Sequence, residues 1–396
     1  MKSRNEIIGY IYLRLRNIVL RSLLLFTKAY SSEELSGIDI SNVLVVKLDR
    51  IGDMVMTTPI FRALKKGWPN AQISVLVNPV NKSAINNNPF IDYIYVYDKE
   101  KKHKSLNSRI HFFRSIREKE FDLVIDPYLD YELKTSFITR FVGSKFRLGF
   151  EFAGKEIFYN IRYPARAFPV FTEKKHIVDY YLDLISSLGI KADRKQPEIF
   201  LTSGEKENAR QRLKSKGLKP EDKVIGIHPG AHYESQRWPI EKFAAVSDYL
   251  ITRYDARIIL FAGRVEKQLL SEFRGYAVNT PIFLCDLSLR EFMSTLSHCS
   301  LFLCNNSGPL HIATALNIPT VSTIGPTTPF LWWPRGENQI VLRKDLYCSP
   351  CKRGVCNTHE CMELITTEDF IDAVERQIST LDIFPSSYNS YINTKR

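Results

Sequence analysis

Short apolar segments alternate with helix-like segments through most of this chain. Nine apolar runs have the length of a buried strand, and they fall at residues 43–47, 73–77, 91–96, 123–126, 224–228, 257–261, 282–284, 301–303 and 320–324. Helical periodicity is clearest at 59–66 and 177–188. Strands that are apolar on both faces and separated by helices are typical of parallel sheets covered on both sides. The pattern therefore predicts an α/β protein.

A polar and charged stretch at residues 191–222 divides this pattern into two series. A chain of 396 residues is also longer than one domain usually is. We expect an N-terminal helix, a first α/β domain, a linker, a second α/β domain, and a cysteine-rich loop with C-terminal helices. Their boundaries are 1–36, 37–195, 196–220, 221–345 and 346–396. Two such sheets place a ligand cleft between the domains, at the carboxyl ends of the strands.

The N-terminal segment combines helical apolar spacing with positive charge. Residues 1–30 carry six Lys or Arg against the single acid Glu6. Two interpretations stay open: the helix lies in the surface of an anionic bilayer, or it packs on the body of the protein. No apolar run reaches the length of a membrane span, and no signal-peptide pattern appears. We expect a cytoplasmic protein, with peripheral contact to the inner face of the membrane under the first interpretation.

The net charge of +12 indicates an anionic partner, such as a phosphorylated ligand or an acidic membrane face. The basic residues do not form one block, and no RNA-binding signature with interleaved aromatic residues is present. We therefore expect no nucleic-acid partner.

A phosphate-binding turn is predicted where Asn-Asn-Ser-Gly-Pro (305–309) follows an apolar strand and precedes a helix. Free backbone N–H groups and the helix dipole favour an anion at such a turn, and His311 can add a donor. The alternative is an ordinary connection with a Ser or Asn cap. The usual glycine-rich signatures of dinucleotide and P-loop sites are missing.

Polar or glycine-containing turns follow three other predicted strands, and their order is specific. The motifs are Val-Lys-Leu-Asp-Arg-Ile-Gly-Asp-Met-Val-Met-Thr-Thr-Pro (46–59), His-Pro-Gly-Ala (228–231), Arg-Trp-Pro (237–239), Asn-Ser-Gly-Pro-Leu-His-Ile-Ala (306–313), Ile-Gly-Pro-Thr (324–327) and Cys-Ser-Pro-Cys (348–351). Over roughly residues 42–380, the chain resembles glycosyltransferase family 9, the ADP-heptose:lipopolysaccharide heptosyltransferases and their relatives. The resemblance implies a GT-B fold of two Rossmann-like domains, with the last helices crossing back to the first. It also implies inverting, metal-independent sugar transfer, with the acceptor in the first domain and the donor in the second.

The resemblance assigns roles to individual residues. Asp53 is the general base, with an N-cap on the following helix as the alternative role. Lys47 meets acceptor phosphate or developing charge, with a solvated lysine as the alternative. The donor-binding residues are Gly230, Ala231, Gln236, Arg237, Glu266, Leu287, Asn306, Ser307, Gly308 and His311. Within this set, Ser307, Gly308 and His311 hold the diphosphate, Glu266 lies near the ribose, and Leu287 lies near the base.

Two positions depart from the family pattern. Relatives usually have Lys where this chain has Gln236, which removes a charge beside the diphosphate and puts ADP-heptose itself in doubt. Many members have Asp where Asn306 stands, and that change removes a carboxylate from beside the phosphates.

The cysteines form two groups. Cys285, Cys299 and Cys304 lie in or beside apolar runs and are interpreted as packing residues. Cys348, Cys351, Cys356 and Cys361 are spaced closely enough to bind structural zinc. The alternative is a cysteine-rich loop without metal, and no cofactor is required for transfer under either interpretation.

The resulting hypothesis is transfer of a sugar, heptose from ADP-heptose, to a lipopolysaccharide core or related cell-envelope glycan. The acceptor is then a phosphorylated, lipid-linked glycan. Three alternatives stay open: a family 9 relative with another nucleotide sugar, a different GT-B enzyme such as a nucleotide-sugar epimerase, or a non-catalytic nucleotide- or glycan-binding assembly protein.

Overall fold

The computed structural model describes residues 15–19, 29–30, 39–152, 154–164, 174–263, 266–351 and 353–384. The chain divides into two compact units, Met1–Lys195 and Gln196–Arg396. Within the described ranges, no helix has the length and apolar character needed to cross a bilayer.

The first unit is built on a six-stranded parallel sheet with the order β3-β2-β1-β4-β5-β6. The strands are β1 (Asn42–Lys47), β2 (Gln72–Val77), β3 (Tyr93–Val96), β4 (Leu123–Asp126), β5 (Phe146–Glu151) and β6 (Ile161–Pro164). The helices are α1 (Ile51–Gly67), α2 (Pro79–Ile85), α3 (Leu106–Arg117), α4 (Lys134–Val142) and α5 (Ile177–Ser186), with a 3-10 turn at Lys155–Phe158. Strand order reverses between β1 and β4. Ligands bind open α/β sheets beyond the carboxyl ends of the strands at such a point.

The second unit repeats this architecture, with the strand order β12-β11-β10-β7-β8-β9. Its strands are β7 (Val224–His228), β8 (Arg257–Ala262), β9 (Ile282–Cys285), β10 (Leu301–Asn305), β11 (Thr320–Thr323) and β12 (Gln339–Leu342). Its helices are α6 (Ser203–Ser215), α7 (Ile240–Tyr254), α8 (Lys267–Tyr276), α9 (Leu289–Leu296), α10 (Gly308–Ala315), α11 (Pro329–Trp332), α12 (Glu360–Glu363) and α13 (Thr367–Leu381). The reversal lies between β7 and β10.

All nine predicted strands are confirmed, while β5, β6 and β12 were not predicted. In β5 an arginine and Gly149 interrupt the apolar run. Gly149 is required by packing, because a Cβ there would lie 2.4 Å from the Tyr159 ring. Tertiary packing, rather than local pattern, therefore explains this residue choice.

Three predicted segments compare differently with the structure: the linker, the last helices and the N-terminal helix. Residues 196–220, predicted as a linker, contain α6, which begins with a capping box formed by Thr202 and Glu205. Helix α13 packs against α7, β11 and β12 of its own unit, and the return of the last helices to the first domain stays a prediction. Of the predicted N-terminal helix, residues 15–19 are helical, and most of 1–36 lies outside the described residues.

Candidate active site

Lys47, the last residue of β1, is the centre of a buried polar cluster in the first unit. Only 1% of the residue is exposed. Its Nζ lies 2.8 Å from Asp49 Oδ2 and donates a 2.9 Å hydrogen bond to the Tyr181 hydroxyl. The ammonium also lies over the rings of Tyr128 and Tyr181, at 4.8 and 4.5 Å from their centroids. The solvated-lysine interpretation is therefore wrong.

Asp53 lies in the first turn of α1, directly beyond β1. The N-cap of this helix is Arg50, whose side chain makes no capping bond, so the N-cap role for Asp53 is wrong. Burial raises the pKa of Asp53, while the charges of Lys47 and Arg50 act in the opposite direction. A buried carboxyl group whose pKa is raised, and which lies near a cation, is a candidate general base.

Asp49 belongs to the same cluster and was missed by the sequence analysis. Burial raises its pKa to about 7, although Lys47 acts to lower it. Its Oδ1 is buried and finds no hydrogen-bond partner among the described residues. Two asparagines stabilise the turn that carries Asp49. Asn78, which precedes α2, and Asn81, which lies in α2, donate side-chain hydrogen bonds of 2.8 and 3.0 Å to the Asp49 carbonyl. The signal was present in the sequence as the first of two aspartates in the motif at 46–59.

A second buried lysine stands beside this cluster. Lys155 is fully buried, forms a 2.7 Å ion pair with Asp130, and lies 5.6 Å from the centroid of the Tyr128 ring. Asp130 in turn acts to raise the pKa of Asp53. Two buried lysines, Lys47 and Lys155, therefore lie near the carboxyl ends of β1 and β4. Four carboxyl groups lie around them: Asp49, Asp53, Asp126 and Asp130. Tyr128, Asp130 and Lys155 had no motif in the sequence to mark them.

In the second unit, α10 begins at the predicted phosphate turn. Ser307 is its N-cap residue, but the Ser307 side chain does not cap the helix and instead donates a 3.3 Å hydrogen bond to the Asn305 carbonyl. The ordinary-cap interpretation therefore does not hold for the Ser307 side chain. His311 is buried in the first turn and a half of this helix, with its ring centroid 6.5 Å from that of Trp332. Asn306 donates to the Trp332 carbonyl at 3.0 Å.

Asn305 connects several loops of the second unit through side-chain hydrogen bonds. The sequence analysis placed it in the predicted turn but assigned it no role. Its Oδ1 accepts hydrogen bonds of 2.9 Å from the Trp238 N–H and from the Thr323 hydroxyl, and its Nδ2 donates to the Pro229 carbonyl at 2.7 Å. The side chain is fully buried. One amide therefore fixes the loop after β7 and the segment around Trp238 to the ends of β10 and β11.

Gly230 and Glu266 meet at this loop. A Cβ on Gly230 would lie 1.9 Å from Glu266 Oε1, so only glycine fits without displacing the carboxylate. Glu266 Oε2 lies 3.2 Å from His228 Nε2 and accepts a 2.8 Å hydrogen bond from the Gly263 N–H. Burial acts to raise the pKa of Glu266, but His228 and this N–H outweigh it and lower the pKa to about 2.

Three other predicted donor residues have distinct places. Arg237 donates from Nε to the Ala231 carbonyl at 3.1 Å, and Gln236 ends the 3-10 turn Glu234–Gln236. Leu287 follows β9, two strands away from β7 in the sheet. The structure therefore brings Gly230, Ala231, Arg237 and Glu266 together. Leu287 lies farther along the sheet of the second unit, beyond the carboxyl end of β9.

The lowered pKa of Glu266 predicts an acid-dependent loss of stability. The ionised carboxylate contributes stability above the unfolded-state pKa near 4.5, and this contribution disappears as the pH falls toward about 2. Glu266→Gln should lower the free energy of unfolding by roughly 2 kcal/mol at pH 7, after allowance for partial solvent screening. Urea unfolding at pH 7 and pH 3 should show the difference from wild type shrinking at the lower pH. Glu241→Gln, an exposed position on α7, is the control, and a pH-independent difference for Glu266→Gln would contradict the prediction.

The cysteine-rich segment supports the loop that carries Gln236. Ser235 donates its N–H to the Gly354 carbonyl at 3.3 Å and its hydroxyl to the Arg353 carbonyl at 2.5 Å, and His359 Nε2 lies 3.2 Å from the Ser235 carbonyl. Cys348, Cys351, Cys356 and Cys361 are free thiols. In the part of the chain that the structure describes, no group of three or more His, Cys, Asp or Glu side chains is arranged to hold a metal ion. The geometry therefore gives the zinc interpretation no support.

Comparisons with known proteins agree with this fold. The family model for glycosyltransferase family 9 (heptosyltransferase) matches residues 109–362. Lipopolysaccharide heptosyltransferase 3 of Escherichia coli is 25% identical over 333 residues, which cover 82% of this chain and 96% of that protein. A glycosyl transferase family 9 structure from Veillonella parvula has a TM-score of 0.78 at 25% identity and covers 87% of this chain and 98% of that one. The structure of E. coli ADP-heptose LPS heptosyltransferase II has a TM-score of 0.70 at 22% identity, with coverages of 86% and 99%. The predicted fold class is confirmed.

Proposed function

Because this chain belongs to glycosyltransferase family 9 and is a glycosyltransferase, we propose that it transfers heptose from ADP-heptose to a lipopolysaccharide core or related cell-envelope glycan. The names of the E. coli relatives, a lipopolysaccharide heptosyltransferase and an ADP-heptose LPS heptosyltransferase, support both substrates. The acceptor in this proposal is a phosphorylated, lipid-linked glycan, which suits a chain of net charge +12. Cytoplasmic location stays a prediction.

The single observation that carries the proposed chemistry is the carboxyl group of Asp53 beside the buried Lys47. In the proposed step, Asp53 takes the proton of the acceptor hydroxyl as that oxygen attacks the anomeric carbon. The bond from the anomeric carbon to the diphosphate breaks on the opposite face, so the configuration inverts and ADP leaves with the electron pair. The positive charge of Lys47 opposes protonation of Asp53 before the hydroxyl binds. No metal takes part in this mechanism.

The second unit holds the donor in this proposal. The N-terminus of α10, with Ser307 and His311, receives the diphosphate, and its backbone N–H groups stabilise the charge on the leaving group. Arg237 supplies the positive charge that Gln236 lacks. Glu266, ionised above a pKa of about 2, accepts hydrogen bonds from the ribose hydroxyls.

Nucleotide binding to the full chain tests the donor assignment. At a concentration of one hundred times the dissociation constant, ADP should stabilise the folded protein by about 2.7 kcal/mol. Thermal melting with ADP, UDP and GDP at one salt concentration should show the largest rise in Tm with ADP. A rise with UDP or GDP alone would overturn ADP-heptose and leave the family assignment intact. No rise with any of the three would contradict a nucleotide-sugar donor.

A further inference from the structure

Exposed aromatic residues of the second unit are concentrated at one edge of its sheet. In the described part of this unit, the exposed Phe, Trp and Tyr residues are Tyr233, Tyr276, Phe330, Trp333 and Tyr347. Tyr233 follows β7, Phe330 and Trp333 follow β11, and Tyr347 follows β12. These four residues, which we call the aromatic edge, come after the carboxyl ends of parallel strands, where α/β sheets bind ligands. Single exposed aromatic residues are ordinary, whereas a group of them beside a ligand site indicates a binding surface.

Phe330 and Trp333 are carried by the short helix α11 and the residue after it. They are 48% and 41% exposed and lie three positions apart, so both project from one side of the helix. Trp332 lies on a different side and faces the phosphate turn. Its carbonyl accepts a 3.0 Å hydrogen bond from Asn306, and its ring centroid lies 6.5 Å from that of His311. The two exposed rings are therefore fixed next to the predicted diphosphate site.

The other two members of the aromatic edge are carried by segments that are also anchored. Ser349 donates its hydroxyl to the Gly325 carbonyl at 2.7 Å, which ties the segment after β12 to the loop after β11. Tyr347, in that segment, is fully exposed. Tyr233 packs against Gly354, where a Cβ would lie 2.9 Å from the ring. The aromatic edge is thus supported by defined loop contacts, while its rings face solvent.

The loop that carries Phe330 and Trp333 has no charge. Residues 320–334 contain no Asp, Glu, Lys, Arg or His. Phosphate groups and lipid headgroups are bound by cations, so these ligands do not fit this loop. The side-chain oxygens of Thr327 and Thr328 are buried and make no hydrogen bond among the described residues, so the fold does not use up the hydrogen-bonding capacity of the loop. The chemistry favours a neutral ligand that has both an apolar face and hydroxyl groups.

We propose that the aromatic edge binds a sugar ring of the glycan acceptor. A pyranose ring has a face of C–H groups that packs flat against an aromatic ring, and its hydroxyl groups stay available for hydrogen bonds. The sugar of the donor is a poorer occupant. It is bonded directly to the diphosphate at α10, whereas Phe330 and Trp333 project from a different side of α11 than Trp332, which faces α10. The inference rests on the proposed function, because it takes the acceptor to be a glycan.

The test is isothermal titration of the full chain with the lipid-free oligosaccharide of a lipopolysaccharide core. Wild type should bind this oligosaccharide. Phe330→Ala with Trp333→Ala should weaken binding by about ten-fold or more, because two stacking surfaces are lost. Tyr347→Ala should weaken it by about two-fold or more. In steady-state transfer, the KM for the oligosaccharide should rise in the double variant, while kcat and the KM for ADP-heptose stay close to wild type.

The matched control is Tyr276→Ala. Tyr276 is 57% exposed and ends α8, the helix that returns from β8 to the opposite edge of the sheet. This variant should bind the oligosaccharide as wild type does, and all variants should keep the wild-type Tm. If the double variant lowers the Tm, Tyr347→Ala decides, because a fully exposed side chain can be removed without loss of packing.

Unchanged binding by a variant of the aromatic edge that keeps the wild-type Tm would overturn the proposal. A rise in the KM for ADP-heptose alone would overturn it and assign the rings to the donor sugar. An effect with a lipid-linked acceptor but not with the lipid-free oligosaccharide would overturn it and assign the rings to the lipid. Absence of binding by wild type would also contradict it, and a rise in Tm with ADP in the same protein would show that the proposed donor site is intact.

Discussion

Asp53→Asn should lower the rate of sugar transfer by about 10²–10⁴-fold, the usual contribution of a general base. Asparagine keeps the size of the side chain but cannot take the proton from the acceptor hydroxyl. The measurement is kcat/KM for transfer from ADP-heptose to a lipopolysaccharide acceptor. ADP should still raise the Tm of this variant, because the predicted donor residues lie in the second unit.

Asp49→Asn is the matched control for Asp53→Asn. Asp49 lies four residues away, forms an ion pair with Lys47 and also has a raised pKa, while Lys47 acts on Asp53 through its charge. Asp49 is therefore another carboxyl group that the cluster offers as a base. We expect its replacement to cause the smaller loss of the two. If Asp49→Asn abolished transfer and Asp53→Asn did not, the base would be Asp49. If neither variant lost activity, the proposed mechanism would be wrong.

Lys47→Met should lower the free energy of unfolding by about 3–5 kcal/mol, because removing one partner of a buried ion pair leaves the other charge uncompensated. The charge left behind is that of Asp49, with Asp53 close by. The pH dependence has a definite sign. Without Lys47 the pKa of Asp49 rises further above its unfolded value, so the folded state binds more protons and the loss of stability grows as the pH rises.

The double variant Lys47→Met with Asp49→Asn tests whether the stability lost in Lys47→Met comes from the unpaired charge or from the changed shape of the side chain. It removes both partners of the ion pair and should recover much of the stability lost in Lys47→Met. Urea unfolding of wild type, both single variants and the double variant, at pH 5 and pH 8, completes the cycle. A loss below about 1 kcal/mol in Lys47→Met, the usual value for an exposed pair, would show that Lys47 is not a buried, paired cation.

The elements around the two sites differ in how well the sequence predicted them. Strand β1 was predicted because four consecutive valines and leucines precede Lys47, and all four are fully buried. Helix α6 was missed although its Thr202 and Glu205 capping box is a local signal. The zinc interpretation finds no support among the described residues, where no group of three or more His, Cys, Asp or Glu side chains is arranged to hold a metal ion. Cysteine spacing alone does not determine whether thiols are arranged around one point.

The sequence by itself determined the two α/β series, the positions of the turns at the ends of β1, β7 and β10, and the family. These features are local, because strand-length apolar runs and turn residues act over a few positions of the chain. Only the tertiary structure decided which side chains surround Lys47. Tyr181, which accepts its hydrogen bond, is 134 residues away along the chain. Parallel strands are joined only through long crossover connections. The partners of a side chain at a strand end therefore come from distant segments of the chain. The pKa of Asp49 is raised only once those segments have folded around it and excluded water.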